Sequence, residues 1–202
     1  MGLRERKKER TRFAILDTAL DLFLEQGYES TTIDQIAAAA EISPRTLFRY
    51  FTGKDHLILW MHDENEQTIL EALASRPADE PPFTSMAHAL RALLRTIESA
   101  THEDTERFLK VRRLLDAEPH LASGVHARVI ETERRLVEAI AARRGLDTQE
   151  SPIPHLVVSF AMACLRVGFT CPVDPPGLQG VVKRMEDTLR VVEGALRPGW
   201  DL

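Results

Sequence analysis

The chain of 202 residues is poor in cysteine, with two, in glycine, with ten, and in proline, with eleven; aromatic residues make up only 6% of it. Two cysteines, Cys164 and Cys171, are too few for a disulfide framework, suit a reducing cytosol and read as small buried thiols. Alternating β-branched runs are nearly absent, and the prolines and glycines cluster at a handful of places, which argues against a sheet and for helices separated by short breaks. No apolar segment follows the N-terminal charges, so no signal peptide is expected. The apolar run from Ile153 to Phe169 is interrupted by Pro154, His155, Ser159 and Arg166 and reads as too short to span a bilayer. No membrane partner is expected, and the expected location is cytoplasmic, with the nucleoid.

Catalytic and metal signatures are also missing. The seven histidines are poorly spaced for a metal: His56 and His62 lie six apart, as do His120 and His126, and six residues do not bring two side chains to one helical face. There is no HExxH, CxxC, paired-carboxylate, glycine-rich phosphate or Gly-x-Ser-x-Gly pattern. No catalytic residue, metal or cofactor is therefore expected.

What is present is first a charge asymmetry. The net charge of −5 argues by itself against a nucleic-acid partner. Residues 1–60, however, balance nine basic against nine acidic side chains, so the whole excess lies in residues 61–202, with 17 basic against 22 acidic. Arg4, Arg6, Lys7, Lys8, Arg10 and Arg12 face only Glu5 and Glu9 in the first twelve residues. Such a segment suits attraction to phosphates or is simply a solvated helix start.

The second feature is the stretch from Thr32 to Lys54. Thr32 followed by Gln35 is a capping box opening one helix. Ser43 followed by Pro44 is an N-cap and first-turn proline opening another. Between them Ile36, Ala40, Ile42, Leu47 and Tyr50 fall where two crossed helices touch, with small Ala37 at the close approach. Arg45, Thr46, Phe48, Arg49 and Tyr50 then project from a helix of about two turns, a size that a DNA major groove admits and whose base edges arginine and hydroxyl groups read. A plain helical hairpin within a bundle is the competing reading.

Together with Ile15, Ala19, Phe23, Gly27-Tyr28 and Leu57, these residues resemble the N-terminal domain of TetR-type transcriptional repressors. The resemblance covers the first quarter to third of the chain. It implies an all-α homodimer with three N-terminal helices forming a helix-turn-helix domain on double-stranded operator DNA, and a helical ligand-binding and dimerisation domain behind it, about nine helices in all. It implies that Thr32, Ser43, Pro44, Arg45, Thr46, Phe48, Arg49, Tyr50 and Lys54 meet DNA, Thr32 and Lys54 through phosphate. Two positions depart from the family pattern. Glu41 stands where glycine is usual, so a left-handed turn there costs about 1 kcal/mol, and Phe48 stands where tyrosine is common.

Periodicity divides the chain into residues 1–53, a connecting helix over 54–74, and residues 75–202. A loop is expected over 75–83, with later helices near 84–99, 104–117, 119–144, 152–169 and 178–196. The last two carry surplus apolar surface, which suggests a self-complementary interface between two subunits. Trp60, Met61, Met86, Phe108, Val111, Arg112, Leu115, Phe160 and Cys164 are candidates to line a largely apolar effector pocket, in which Arg112 or Arg166 would fix an anionic group. Acyl thioesters and other lipophilic effectors known in the resembled family suit such a pocket. The rival to a ligand-released repressor is a helical lipid-binding module or enzyme that uses its first helices as scaffold.

Overall fold

The computed structural model describes residues 2–174 and 177–201, with the side chains of residues 3–6 outside the description. Among the described residues there are nine helices and no strand: α1 Leu3–Gln26, α2 Ile33–Ala39, α3 Pro44–Phe48, α4 Lys54–Ala74, α5 Pro82–Glu98, α6 His102–Ala117, α7 Pro119–Arg144, α8 Ile153–Thr170 and α9 Leu178–Ala195. The all-α expectation therefore holds. Helix α5 begins two residues before the expected Thr84, because Pro82 occupies its first turn, where a missing N–H costs nothing. Helix α6 likewise begins two residues early, at His102.

The chain forms two compact units that do not follow chain order. One comprises Met1–His62 with His102–His126, the other Asp63–Thr101 with Ala127–Leu202. Helices α4 and α7 each run unbroken from one into the other. Helix α6, which chain order groups with the C-terminal region, belongs to the first unit.

The core of the first unit gathers Ile15, Leu16, Ala19, Leu20 and Phe23 of α1, Ile36 and Ala37 of α2, Leu47 of α3 and Phe51 behind it, closed by Leu57, Trp60, Leu114 and Leu121. These apolar residues of α1 recur at helical spacing, and that face is what holds the helix in place. Helix α6 is tied to α1 by a buried guanidinium. Arg107, 4% exposed, donates from Nε and Nη2 to the Asp17 carboxylate at 2.6 and 2.9 Å and from Nη1 to Asp104 at 2.5 Å. Its guanidinium carbon sits 4.3 Å from the Phe13 ring centroid. Burial works against its charge, and Asp17 and Asp104 outweigh it, so its pKa stays above the ordinary arginine value. Lys110 pairs with Asp21 one turn further on.

In the second unit Ile69 and Leu73 of α4, Met86, Leu90 and Leu93 of α5, Leu136 and Ile140 of α7, Val157, Val158, Ala161 and Cys164 of α8, and Leu189 of α9 share one core. Glu66 of α4 is buried and held by Thr132 and Arg135 of α7, with Arg135 Nη1 at 2.7 Å. By length and composition alone α8 could cross a membrane, so the expectation that it is too short fails; its packing against α5 and α9 belongs instead to a helical core. Cys164 is buried, which pushes its thiol pKa up, while Cys171 is exposed at the end of α8, contrary to the expectation of two buried thiols.

Helices α8 and α9 touch most closely at Gly168. A Cβ there would lie 2.2 Å from Met185 Cγ and 3.2 Å from the Val181 carbonyl oxygen. Gly168→Ala is therefore expected to push the helices apart and cost about 1–3 kcal/mol, read as a lower midpoint in urea unfolding, whereas Gly194→Ala, where the added carbon meets open space, should cost nothing comparable.

Candidate nucleic-acid interface

Local chemistry sets the geometry of the helix pair. Thr32 Oγ1 accepts from the Gln35 N–H at 3.2 Å and Gln35 Oε1 accepts from the Thr32 N–H at 2.8 Å, the reciprocal capping box. Helix α2 ends at Ala39 with Ala40 as its C-cap, and Glu41 follows with φ 55°, the one non-glycine residue with positive φ among the described residues. The Glu41 N–H donates to the Ala38 carbonyl at 3.1 Å and the Ile42 N–H to the Ala37 carbonyl at 2.9 Å, which terminates the helix and turns the chain toward α3. The turn forms with a side chain where the related pattern has glycine, so the left-handed strain is accepted rather than avoided.

Ser43 then caps α3, its Oγ accepting from the Thr46 N–H at 3.1 Å and lying 2.9 Å from Thr46 Oγ1. Pro44 sits in the first turn. The helix is shorter than expected: it ends at Phe48, and Arg49 is its C-cap. Leu47 is fully buried and pins the helix to the core. That anchor leaves Ser43, Pro44, Arg45, Phe48 and Arg49 exposed, Phe48 at 54%. Arg49 lies over the Tyr50 ring at 5.3 Å, and Tyr50 is half-buried against the core rather than projecting. Among the described residues neither Arg45 nor Arg49 is paired with a carboxylate.

Lys54 is already engaged. Its Nζ donates to the Tyr28 carbonyl at 2.8 Å and lies 4.3 Å from the Tyr28 ring centroid. Burial, followed by the hydrogen bond from its hydroxyl to Asp55, pushes the Tyr28 pKa well up. An ammonium has three N–H donors, so Lys54 keeps capacity for phosphate while Tyr28 holds it still. Tyr28 and Asp55 in this supporting role are not evident from spacing; the Gly27-Tyr28 pair is the signal that points to them.

The candidate effector residues separate. Trp60, Met61, Val111 and Leu115 pack in or against the first core, whereas Met86, Phe160 and Cys164 belong to the second. Phe108 is half-buried on α6, and Arg112 is exposed. The single apolar pocket expected from the nine together is thus not gathered within either unit. A groove between α4 and α5 is open to solvent and lined by Thr68, Glu71, Ala72, Ala92, Arg95, Thr96 and Ser99, none of which was a candidate. Among the described residues no cluster of three or more His, Cys, Asp or Glu side chains could hold a metal ion.

Residues 15–61 match the model of the bacterial regulatory proteins of the tetR family, and residues 80–197 that of the MftR C-terminal domain. Over 168 residues the chain is 40% identical to the HTH-type transcriptional regulator TcmR of Streptomyces glaucescens, spanning 82% of this chain and 74% of that protein. The chain belongs to the TetR family. It is a DNA-binding transcriptional regulator of the helix-turn-helix class, and its relatives are regulators rather than enzymes. Similarity to the HTH-type transcriptional regulator AcrR of Shigella flexneri is 26% over 165 residues, 74% of each chain. The fold is similar to that of a solved SmeT–triclosan complex, with a TM-score of 0.61 at 18% identity, covering 94% of this chain and 93% of that one.

Proposed function

We propose that the chain is a homodimeric repressor that binds a palindromic operator through α3 and leaves it when a small, largely apolar effector binds. The observation that carries the reading is the anchoring of α3 by Leu47 with Arg45, Phe48 and Arg49 turned to solvent. Arg45 and Arg49 are assigned to base edges and phosphates of the major groove, Thr46 and Pro44 to the floor of the contact, Phe48 to sugar and thymine methyl surface, Tyr50 to supporting Arg49 from the core side, and Thr32, Ser43 and Lys54 to phosphate.

Dimerisation is assigned to α8 and α9. Leu156 on α8 and Val191 on α9 are 42% and 70% exposed, apolar surface that a partner subunit would cover. Two copies of α3 on a two-fold axis would enter successive major grooves about 34 Å apart. In this division of labour residues 1–53 bind DNA, 54–74 connect, and 75–202 bind effector and partner.

An apolar effector is supported by Met86 and Cys164 in the second core and Phe160 packed against it; an acyl thioester's chain is one apolar group of that kind. To release DNA, an effector must bind the DNA-incompetent arrangement more tightly than the DNA-competent one. The test is a mobility shift of the duplex upstream of the chain's own gene. A retarded complex containing two protomers, absent with a scrambled duplex, is expected; binding that does not distinguish the two duplexes would refute operator recognition.

A further inference from the structure

Helix α1 extends far beyond the core that holds it. It starts at Leu3, but its first buried residue is Ile15. Arg12 and Phe13 already pack on Trp60, so the overhang is the eight residues from Leu3 to Arg10, about 12 Å at the rise of an α-helix. Lys7, Lys8 and Arg10 are exposed on it, and none of the three has a carboxylate partner among the described residues. Several cations elsewhere are held within the protein: Arg107 by Asp17, Lys110 by Asp21, Arg128 by Asp63, and Arg91 by Glu186.

The sign of this charge is wrong for the helix. Exposed N–H groups make a helix N-terminus partially positive, so cations in the first turns destabilise it. The N-cap is Gly2, with no side-chain cap. A segment selected only to be a solvated helix start would carry acids there. An anion outside the chain would offset that charge.

We infer that this overhang is a phosphate-binding arm, with Lys7, Lys8 and Arg10 contacting the DNA backbone that flanks the segment read by α3. The inference rests on the proposed operator-binding function. The base of the arm is fixed close to the reading helix: Phe13 meets Trp60 at 5.1 Å between ring centroids, the Arg12 guanidinium carbon lies 5.5 Å from the same ring, and Trp60 meets Phe51 at 5.9 Å. One aromatic ring thus separates the arm's base from the residue three positions past the end of α3. Contacts of this kind add affinity without sequence preference, because phosphates are the same at every base pair.

The test compares the full-length protein with the triple variant K7Q/K8Q/R10Q on the upstream duplex and on a scrambled duplex of equal length, by fluorescence anisotropy over a range of salt concentrations. Each phosphate contact contributes about −0.9 to the slope of log affinity against log salt, so a two-subunit complex should lose up to about 5 from that slope. Affinity for both duplexes should fall by the same factor, with the ratio between them kept. An unchanged slope overturns the inference, and a changed ratio overturns the assignment to phosphate. Circular dichroism should be unaltered, since none of the three side chains is packed. The operator reading fails separately, if the unmodified protein binds the two duplexes equally.

Discussion

Replacing Arg45 or Arg49 with alanine is expected to remove measurable binding to the upstream duplex while leaving fold and dimer intact. A good arginine contact to a base edge discriminates by about 1–3 kcal/mol. A two-fold complex loses each contact twice, hence about 2–6 kcal/mol per substitution, or roughly 30-fold to more than 10⁴-fold at 1.4 kcal/mol per decade. Both side chains are exposed, and the helix that carries them is anchored by Leu47 and capped by Ser43, neither of which the substitutions touch. Isothermal titration with the duplex, alongside a thermal melt, separates the outcomes: retained affinity in both variants removes α3 as the reading helix, and a lowered melt would place the arginines in the fold instead.

Arg107→Ala should give the largest loss of stability. The substitution removes three hydrogen bonds and the packing over Phe13, and it leaves Asp17 and Asp104 without their shared cation. Removing one partner of a buried ion pair costs about 3–5 kcal/mol. The two carboxylates are 40% and 31% exposed and rehydrate in part, which favours the lower end, about 3 kcal/mol, or roughly 6–12 °C in Tm for a chain of this size. Arg107→Met restores packing over Phe13 but not the cation, so it should recover only the smaller, packing part of the loss. Arg107→Lys should not recover the remainder, because an ammonium cannot reproduce the two parallel bonds to Asp17. Equal melts for the alanine variant and the unmodified protein would show that the α1–α6 tie carries no weight.

The parts of the interface legible in the sequence are those set by neighbours in the chain. Thr32 with Gln35 and Ser43 with Pro44 announce two helix starts because the groups that satisfy each terminus lie within three residues of it. The limits of α4 and α7 coincide with expectation for a similar reason, since proline or glycine stands beside their ends. The all-α class, the helix-turn-helix and the family were legible too, the family through the spacing of a dozen residues.

What was not legible depends on partners far apart in the chain. Arg107 occupies a helical position that reads as solvent-facing, and only the arrival of Asp17, 90 residues earlier, makes its burial favourable. Tyr50 seemed to project with its neighbours, but α3 ends at Phe48 and turns its ring toward the core. The effector candidates were grouped because each lies on an apolar face. Periodicity reveals that a face is buried, not which core receives it, and the two cores divide the group.

Hydroxyl-radical footprinting of the upstream duplex tests most directly whether α3 reads DNA as one of a pair. The expected result is two protected segments centred about 34 Å apart on one side of the duplex, both lost with Arg45→Ala. Protection of one segment alone, or protection that survives the loss of Arg45 and Arg49, would contradict it.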